Sequence, residues 1–308
     1  MAIRQANELV MENKKISILL AGPPGIGKTT LALSSPNPLL IDADHGLDRL
    51  SAAHRTAYIQ PTDYAEILDD LVAENLRDFE TLVFDTGGQL IKLIGQWAIQ
   101  QNPKNGQSDG TLALKGYGAV GREFERLIKY CRDELKKHIV VVFHAKEEKE
   151  GDNTKLRLLV EGQTKDNVWQ PMDLGGFVEI ENNKRILGLS NCDKYFAKGT
   201  HGVNGKKTIP ELKPDTKNDM LTKLFAQVSE NIAQEAAGYA TERGEYDKAI
   251  AGATEIISGI ESPETATAAI GQMAAIQHAL TSKRETDKMF LAKIKKLGYK
   301  LKDGEYVA

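Results

Sequence analysis

Residues 22–29 read Gly-Pro-Pro-Gly-Ile-Gly-Lys-Thr, and few folds can carry such a stretch. It fills every fixed position of GxxxxGK[ST]. It also has the required context, the apolar run ISILLA before it and a helix-forming run after it. Glycines let backbone N–H groups curl around phosphate oxygens, and the helix that follows directs its positive dipole end at the anion. Lys28 is expected to reach the β- and γ-phosphates, and the Thr29 hydroxyl to ligate Mg²⁺. The candidate nucleotide contacts are therefore Gly22, Pro23, Pro24, Gly25, Ile26, Gly27, Lys28, Thr29 and Thr30, with ATP and Mg²⁺ as the expected cofactors. A glycine-rich turn that matches by chance is the bland alternative, and the flanking strand and helix speak against it.

The pattern around the loop is that of an α/β fold with a mostly parallel central sheet flanked by helices. Short apolar runs predict strands at 16–21, 38–41, 57–60, 81–84 and 139–143, with further short strands at 155–160, 177–180 and 185–189. Helical periodicity falls at 29–33, 63–75, 89–100 and 118–135, with Asp63 as an N-cap. The polar stretches 101–110 and 147–154 read as mobile loops. From Pro214 the composition turns to Ala-rich helix, predicted at 218–238, 246–258, 263–280 and 285–297, with Ser262 as an N-cap and Pro263 at the first helical position. The expected organisation is a nucleotide-binding domain over 1–214 and a small helical domain over 215–308.

Parallel sheets collect ligand groups at the carboxyl ends of their strands, which singles out the polar residues that end each run. The run TLVFD places Asp85 where a second magnesium-holding group is needed. LLIDADHGLD ends in Asp42, Asp44, His45 and Asp48. Asp44 is the candidate for activating water, with Asp42 as its support and His45 and Asp48 as loop and capping residues. Metal coordination by Asp42, Asp44 and His45 is a third reading, weakened because consecutive strand residues face opposite ways. His144, after 139–143, is either a satisfied edge histidine or a sensor that bonds the γ-phosphate or the attacking water.

A formal charge of -3 over 308 residues excludes binding of nucleic acid through overall basicity, yet the charge is unevenly spread. Residues 42–80 hold ten acids and three bases, whereas 115–146 hold eight bases and four acids, 184–217 eight and three, and 283–302 eight and two. Either these are solvated faces or a polyanion is a partner. Cys131 and Cys192 lie in no metal or disulfide pattern. No run approaches the ~18 to 20 apolar residues of a membrane span, and the N-terminus lacks a leader's apolar stretch, so a cytoplasmic protein is expected.

In the order of these elements the chain resembles the RecA-type recombinase core. IDADHGLD is similar to the segment that carries that family's catalytic glutamate, and residues 59–66 (IQPTDYAE), the strand at 81–84 and the polar His144 follow at similar distances. The likeness covers roughly 14–212, strongest at the phosphate loop and weakest beyond 145. Given the chain's size, it looks most like the phage RecA-core ATPases that act as single-strand annealing proteins. The resemblance implies ATP hydrolysis, binding of single-stranded DNA, annealing or strand pairing beside a single-strand-binding protein, assembly into a filament or ring, and a cytoplasmic setting in an infected bacterium. It implies DNA-binding loops near 101–116 and 147–170, where Lys104, Lys115, Tyr117, Lys155, Arg157, Lys165 and Trp169 offer charge and stacking surface. It also implies that Lys198, in YFAKGTH, completes a neighbour's site in trans, while Thr200 stands where a second lysine is expected. Asp44 stands where the family has glutamate, which implies slow turnover, a backbone that compensates, or a nucleotide-switched binding factor that is insensitive to DNA.

Overall fold

The computed structural model describes residues 14–150, 153–160, 164–212 and 216–308. Residues 1–13, the 161–163 part of the second expected DNA loop, the Lys165 side chain and the boundary at 214 lie outside the described residues.

Every residue of β1 (Ser17–Gly22, SILLAG) is buried, as a strand covered on both faces must be. It feeds directly into the phosphate loop and α1 (Lys28–Ala32). Then come β2 (Pro38–Asp42), the short β3 (Tyr58–Ile59), α2 (Tyr64–Asp70), β4 (Thr81–Asp85) and α3 (Gly87–Gln101). α4 (Leu114–Lys129) continues into a single π turn over Tyr130–Glu134. β5 (His138–Glu150) hairpins into β6 (Asn153–Leu158), and α5 (Thr164–Asn167), β7 (Leu174–Glu181), β8 (Lys184–Gly188) and β9 (Lys206–Thr208) complete the sheet.

The strand order is β3-β2-β4-β5-β1-β7-β8-β9, with β6 beside the far end of β5. From β3 to β7 the pairs are parallel, and only β8, β9 and β6 run antiparallel. Alternation along the strands divides the core. Leu19, Ala21, Ile41, Leu82, Phe84, Val141 and Phe143 join Tyr64, Leu90, Ile94 and Phe124 from α2, α3 and α4 in one buried cluster.

Two expectations are corrected. The described residues 147–150 and 153–154 are strand rather than loop, because Glu147 pairs with Leu156 and Glu148 with Lys155 in the β5–β6 ladder. Their charges misled because the hairpin's core contacts come from Leu156 and Leu158 of β6, while residues 146–149 of β5 carry no apolar alternation. The stretch 101–110 is tied to the helices on either side: Asn105 Nδ2 donates to Ala98 O at 2.9 Å, and Ala113 N to Asn105 O at 2.8 Å.

The described chain divides into two compact units that meet at residues 231 and 232. α6 (Met220–Ser258) is one helix where two were expected. Gly238 and Gly244 each disfavour it by about 1 kcal/mol, but no proline or cap forces a break. Arg243 holds that stretch by pairing with Asp247 at 3.1 Å and covering the Tyr246 ring. In the second unit follow α7 (Pro263–Ala274), opened by the expected Ser262 cap, then α8 (Ser282–Leu297) and the hairpin of β10 (Lys300–Lys302) and β11 (Glu305–Val307). No helix among the described residues is long and apolar enough to cross a membrane.

Gly87 starts α3 where it crosses β5, and a Cβ there would drive into the Phe143 ring and Val141. Gly88 has only ordinary contacts, its nearest 3.5 Å away. Gly87→Ala is therefore expected to cost about 1–3 kcal/mol of unfolding free energy through overpacking, and Gly88→Ala well under that. Urea denaturation of the two variants side by side checks the difference.

Candidate active site

Strand register assembles the site. Asp42 pairs with Asp85, and Asp85 with Val142; two residues further along, Gly22 pairs with His144. β5 thus lies between the strand that launches the phosphate loop and the strand that ends in Asp85, and His144 falls in the gap. The loop itself turns on Gly25 (φ 74) and Gly27 (φ 94), left-handed positions that a side chain would strain.

The Lys28 side chain is buried, with its Nζ donating to Pro23 O at 2.8 Å and lying 3.3 Å from His144 Nδ1. Burial lowers its pKa to about 8, opposed by the Asp85 charge. His144 is also pushed below its usual value, by burial and then by Lys28, while Asp44 opposes the shift. A lysine ammonium only donates, so His144 accepts at Nδ1 and carries its proton on Nε2, the nitrogen left to donate to an oxyanion.

Thr29 Oγ1 donates to Asp85 Oδ2 at 2.5 Å. Asp85 is buried at the end of β4, and burial raises its pKa to about 6 against the pull of Thr29 and Lys28. A hydroxyl and a carboxylate at this separation are the hard oxygen donors that Mg²⁺ takes, and a desolvated carboxylate gains most from a divalent cation. The residues present therefore fit the metal: Thr29 and Asp85 would hold it, and when bound it would neutralise charge on the β- and γ-phosphates.

Asp42 is buried and fully used: its oxygens accept from Gly46 N at 2.9 Å, Leu47 N at 3.1 Å and Gln60 Nε2 at 2.8 Å. It anchors the turn that carries Asp44. Asp44 N donates to Asp85 O at 3.2 Å, and its half-exposed carboxylate pairs with Arg49 at 3.5 Å. His45 turns the chain at φ 51. Among the described residues no group of three His, Cys, Asp or Glu side chains converges as a metal site, so the third reading of LLIDADHGLD gains nothing.

Lys198 lies elsewhere. Its backbone bridges Gly175 near the start of β7 and its Nζ donates to Met172 O, toward the end of the sheet opposite the phosphate loop. The structure thus gathers Lys28, Thr29, Asp85, His144 and Asp44 and leaves Lys198 apart. Two neighbours escaped sequence reading. Arg185 of β8 extends to within 4 Å of a Cβ built at Gly27. A cavity of about 430 Å³ beside Gly27 and Thr30 is walled by Arg185, Ile209 and Pro210. Only the antiparallel return of β8 brings these residues there, and no local motif signals it. A second cleft, of about 480 Å³, runs from Asp44 and His144 past Gln89 and Lys92 to Leu112, Tyr117 and Lys146.

The sheet order and this constellation define an α/β P-loop nucleoside-triphosphate-binding fold. Residues 14–201 match a family model described as an AAA domain, more than half of the chain, and the chain belongs to that family. Its coarse function is accordingly that of a nucleotide-binding ATPase domain. A search of the curated proteins finds no match.

The two shifted groups set a pH window for Mg-nucleotide binding. Lys28 binds phosphate as an ammonium, so affinity is expected to be full below about pH 8 and to decline above it. Asp85 binds cation as a carboxylate, so the Mg²⁺-dependent gain is expected to fade below about pH 6. Titration with a fluorescent ATP analogue across pH 5–10 checks both limbs. Lys28→Arg should abolish the alkaline limb whatever affinity remains, because a guanidinium does not titrate there.

Proposed function

We propose that this protein binds and hydrolyses Mg-ATP, binds single-stranded DNA, and promotes annealing or strand pairing as a filament or ring, alongside a single-strand-binding protein in the bacterial cytoplasm that a phage infects. The observation that carries the reading is the shared cleft. Asp44 and His144, on the γ-phosphate side of the site, form one wall of a channel whose other walls offer Lys92, Lys146 and Tyr117. A polyanion held by those cations, with a base on the tyrosine, adjoins the groups that act on the attacking water. Lys155, Arg157, Trp169 and the exposed Phe196, which edge a groove behind the β5–β6 hairpin, extend the same kind of surface.

In this reading Lys28 and the loop amides hold the phosphates, and Thr29 and Asp85 hold the magnesium. His144 donates from Nε2 to the γ-phosphate or the water, and Asp44 accepts the water's proton. Arg185 is placed to add charge over the phosphates, with Ile209 and Pro210 beside the nucleoside. Lys198 serves the neighbouring subunit, which its distance from its own phosphate loop favours.

A second reading, a nucleotide-switched assembly factor with little turnover, is favoured by one contact. Asp44 is engaged by Arg49, which competes with any role toward water. Steady-state ATP hydrolysis with and without single-stranded DNA, at two salt concentrations, separates the two. The first reading expects stimulation of tenfold or more that weakens with salt, because phosphate contacts release counterions. Turnover near background and unmoved by DNA would sink it. Asp44→Asn is expected to lower turnover about 10²-fold with ATP affinity little changed, as loss of a general base does.

A further inference from the structure

The second unit segregates its charge. From 232 to 264 it holds seven acids and two bases, whereas 283–302 hold eight bases and two acids. That basic segment is α8 and β10, and the fold explains which part of it faces outward. Ser282, Thr286 and Ile294 of α8 are buried and Phe290 is partly buried, a ridge of every fourth residue. It packs with Ile260, Ala266, Ala269, Tyr299 and Tyr306. The opposite face presents Arg284, Lys288, Leu291 and Lys295, all exposed and within about 60° of one another around an α-helix. The stripe is about 16 Å long at 1.5 Å per residue.

The two acids of the segment differ. Glu285 is turned away from the stripe, accepting from Tyr246 OH at 2.5 Å and Thr281 Oγ1 at 2.6 Å. Asp287 is exposed beside the stripe. Beyond α8, Gly298 (φ 77) ends the helix and the chain forms β10 and β11, which turn at Asp303 (φ 50) and Gly304 (φ 91). Lys300 and Lys302 are exposed on one face of that hairpin. The order is helix, connection, helix, hairpin, with the cations on the second helix and the hairpin.

We propose that α8 and the β10–β11 hairpin form a docking surface for duplex nucleic acid, separate from the nucleotide site, with the Arg284, Lys288, Lys295 stripe along a groove and Lys300 and Lys302 on the flanking phosphates. Charge complementarity selects a polyanion, and shape selects a duplex. A bare helix fits the major groove, about 12 Å wide, and helix-turn-helix proteins insert their second helix there. Unpaired bases need an aromatic platform, and this face offers Leu291, 60% exposed, while Phe290, Tyr299 and Tyr306 pack inward. Leu291 at the centre of the stripe suits a thymine methyl.

The test uses the full chain without nucleotide, in fluorescence anisotropy against a 20-base-pair duplex and a single strand of equal length over a salt series. The wild type is expected to bind the duplex. The triple variant Arg284→Ala, Lys288→Ala, Lys295→Ala is expected to lose tenfold or more at low salt, and its salt slope to fall by roughly 2 to 3, at ~0.9 per phosphate contact. Asp287→Asn, which removes the flanking negative charge, is expected to bind the duplex more tightly. These side chains are exposed, so nucleotide binding by the same preparations should match wild type and report that the chain is folded. Absence of duplex binding, an unchanged slope in the triple variant, or a stripe whose loss affects only the single strand would each overturn the proposal. Loss of single-strand-stimulated hydrolysis with duplex binding intact would instead count against the function proposed for the first unit.

Discussion

Register between parallel strands is the constraint from which the site follows. Because Asp42, Asp85, Val142 and Leu20 lie on one line across β2, β4, β5 and β1, the residues two steps beyond that line share the sheet's carboxyl edge. Gly22 then begins the phosphate loop, His144 fills the gap between β1 and β4, and Asp44 tops β2. A slip of one residue in any pair would turn these side chains into the opposite helix layer. The buried alternation of Leu19, Phe84 and Phe143 against the helices resists such a slip, so the apolar core fixes the position of the candidate site's polar groups.

Burial does a second job at this edge. Lys28 and Asp85 are both desolvated, and their proton affinities move toward one another, to about 8 and about 6. Neither is satisfied at leisure: the ammonium leans on a loop carbonyl and a histidine, and the carboxylate on a threonine hydroxyl. A phosphate and a divalent cation would give both groups partners of opposite charge where the dielectric is low, in place of neutral ones. Proton affinity and ligand affinity are thereby linked.

What the sequence showed and what it hid follow from the range of each interaction. The phosphate loop, the strand TLVFD and the Ser262 and Asp63 caps depend on neighbours within a few residues, and each was legible. The β5–β6 hairpin was not, because the charged residues 146–149 that form its first strand carry no periodic apolar signal. Nor was α6 legible as one helix, since Gly238 and Gly244 suggest a break that the Arg243, Asp247 and Tyr246 contacts bridge. Arg185 reaches the loop only through the return of β8, a pairing that no local pattern encodes. Lys198 illustrates the converse. Its motif was visible, but its location depends on where the 190–200 segment docks on β7.

Asp44 shows how backbone can offset side-chain length. An aspartate is one methylene short of the glutamate that the resemblance leads one to expect, so its carboxylate reaches less far from its own Cα. Asp42 accepts from Gly46 and Leu47 and closes the turn tightly, and Asp44 N donates to the carbonyl of Asp85 itself. The residue is thus tied to the end of β4, beside His144, rather than suspended from a free loop. Arg49 pairs with that carboxylate, and the charge of Asp44 in turn helps to raise the pKa of Asp85. On the proposed readings, slow hydrolysis and nucleotide switching would differ in how strongly Arg49 holds Asp44 away from the attacking water.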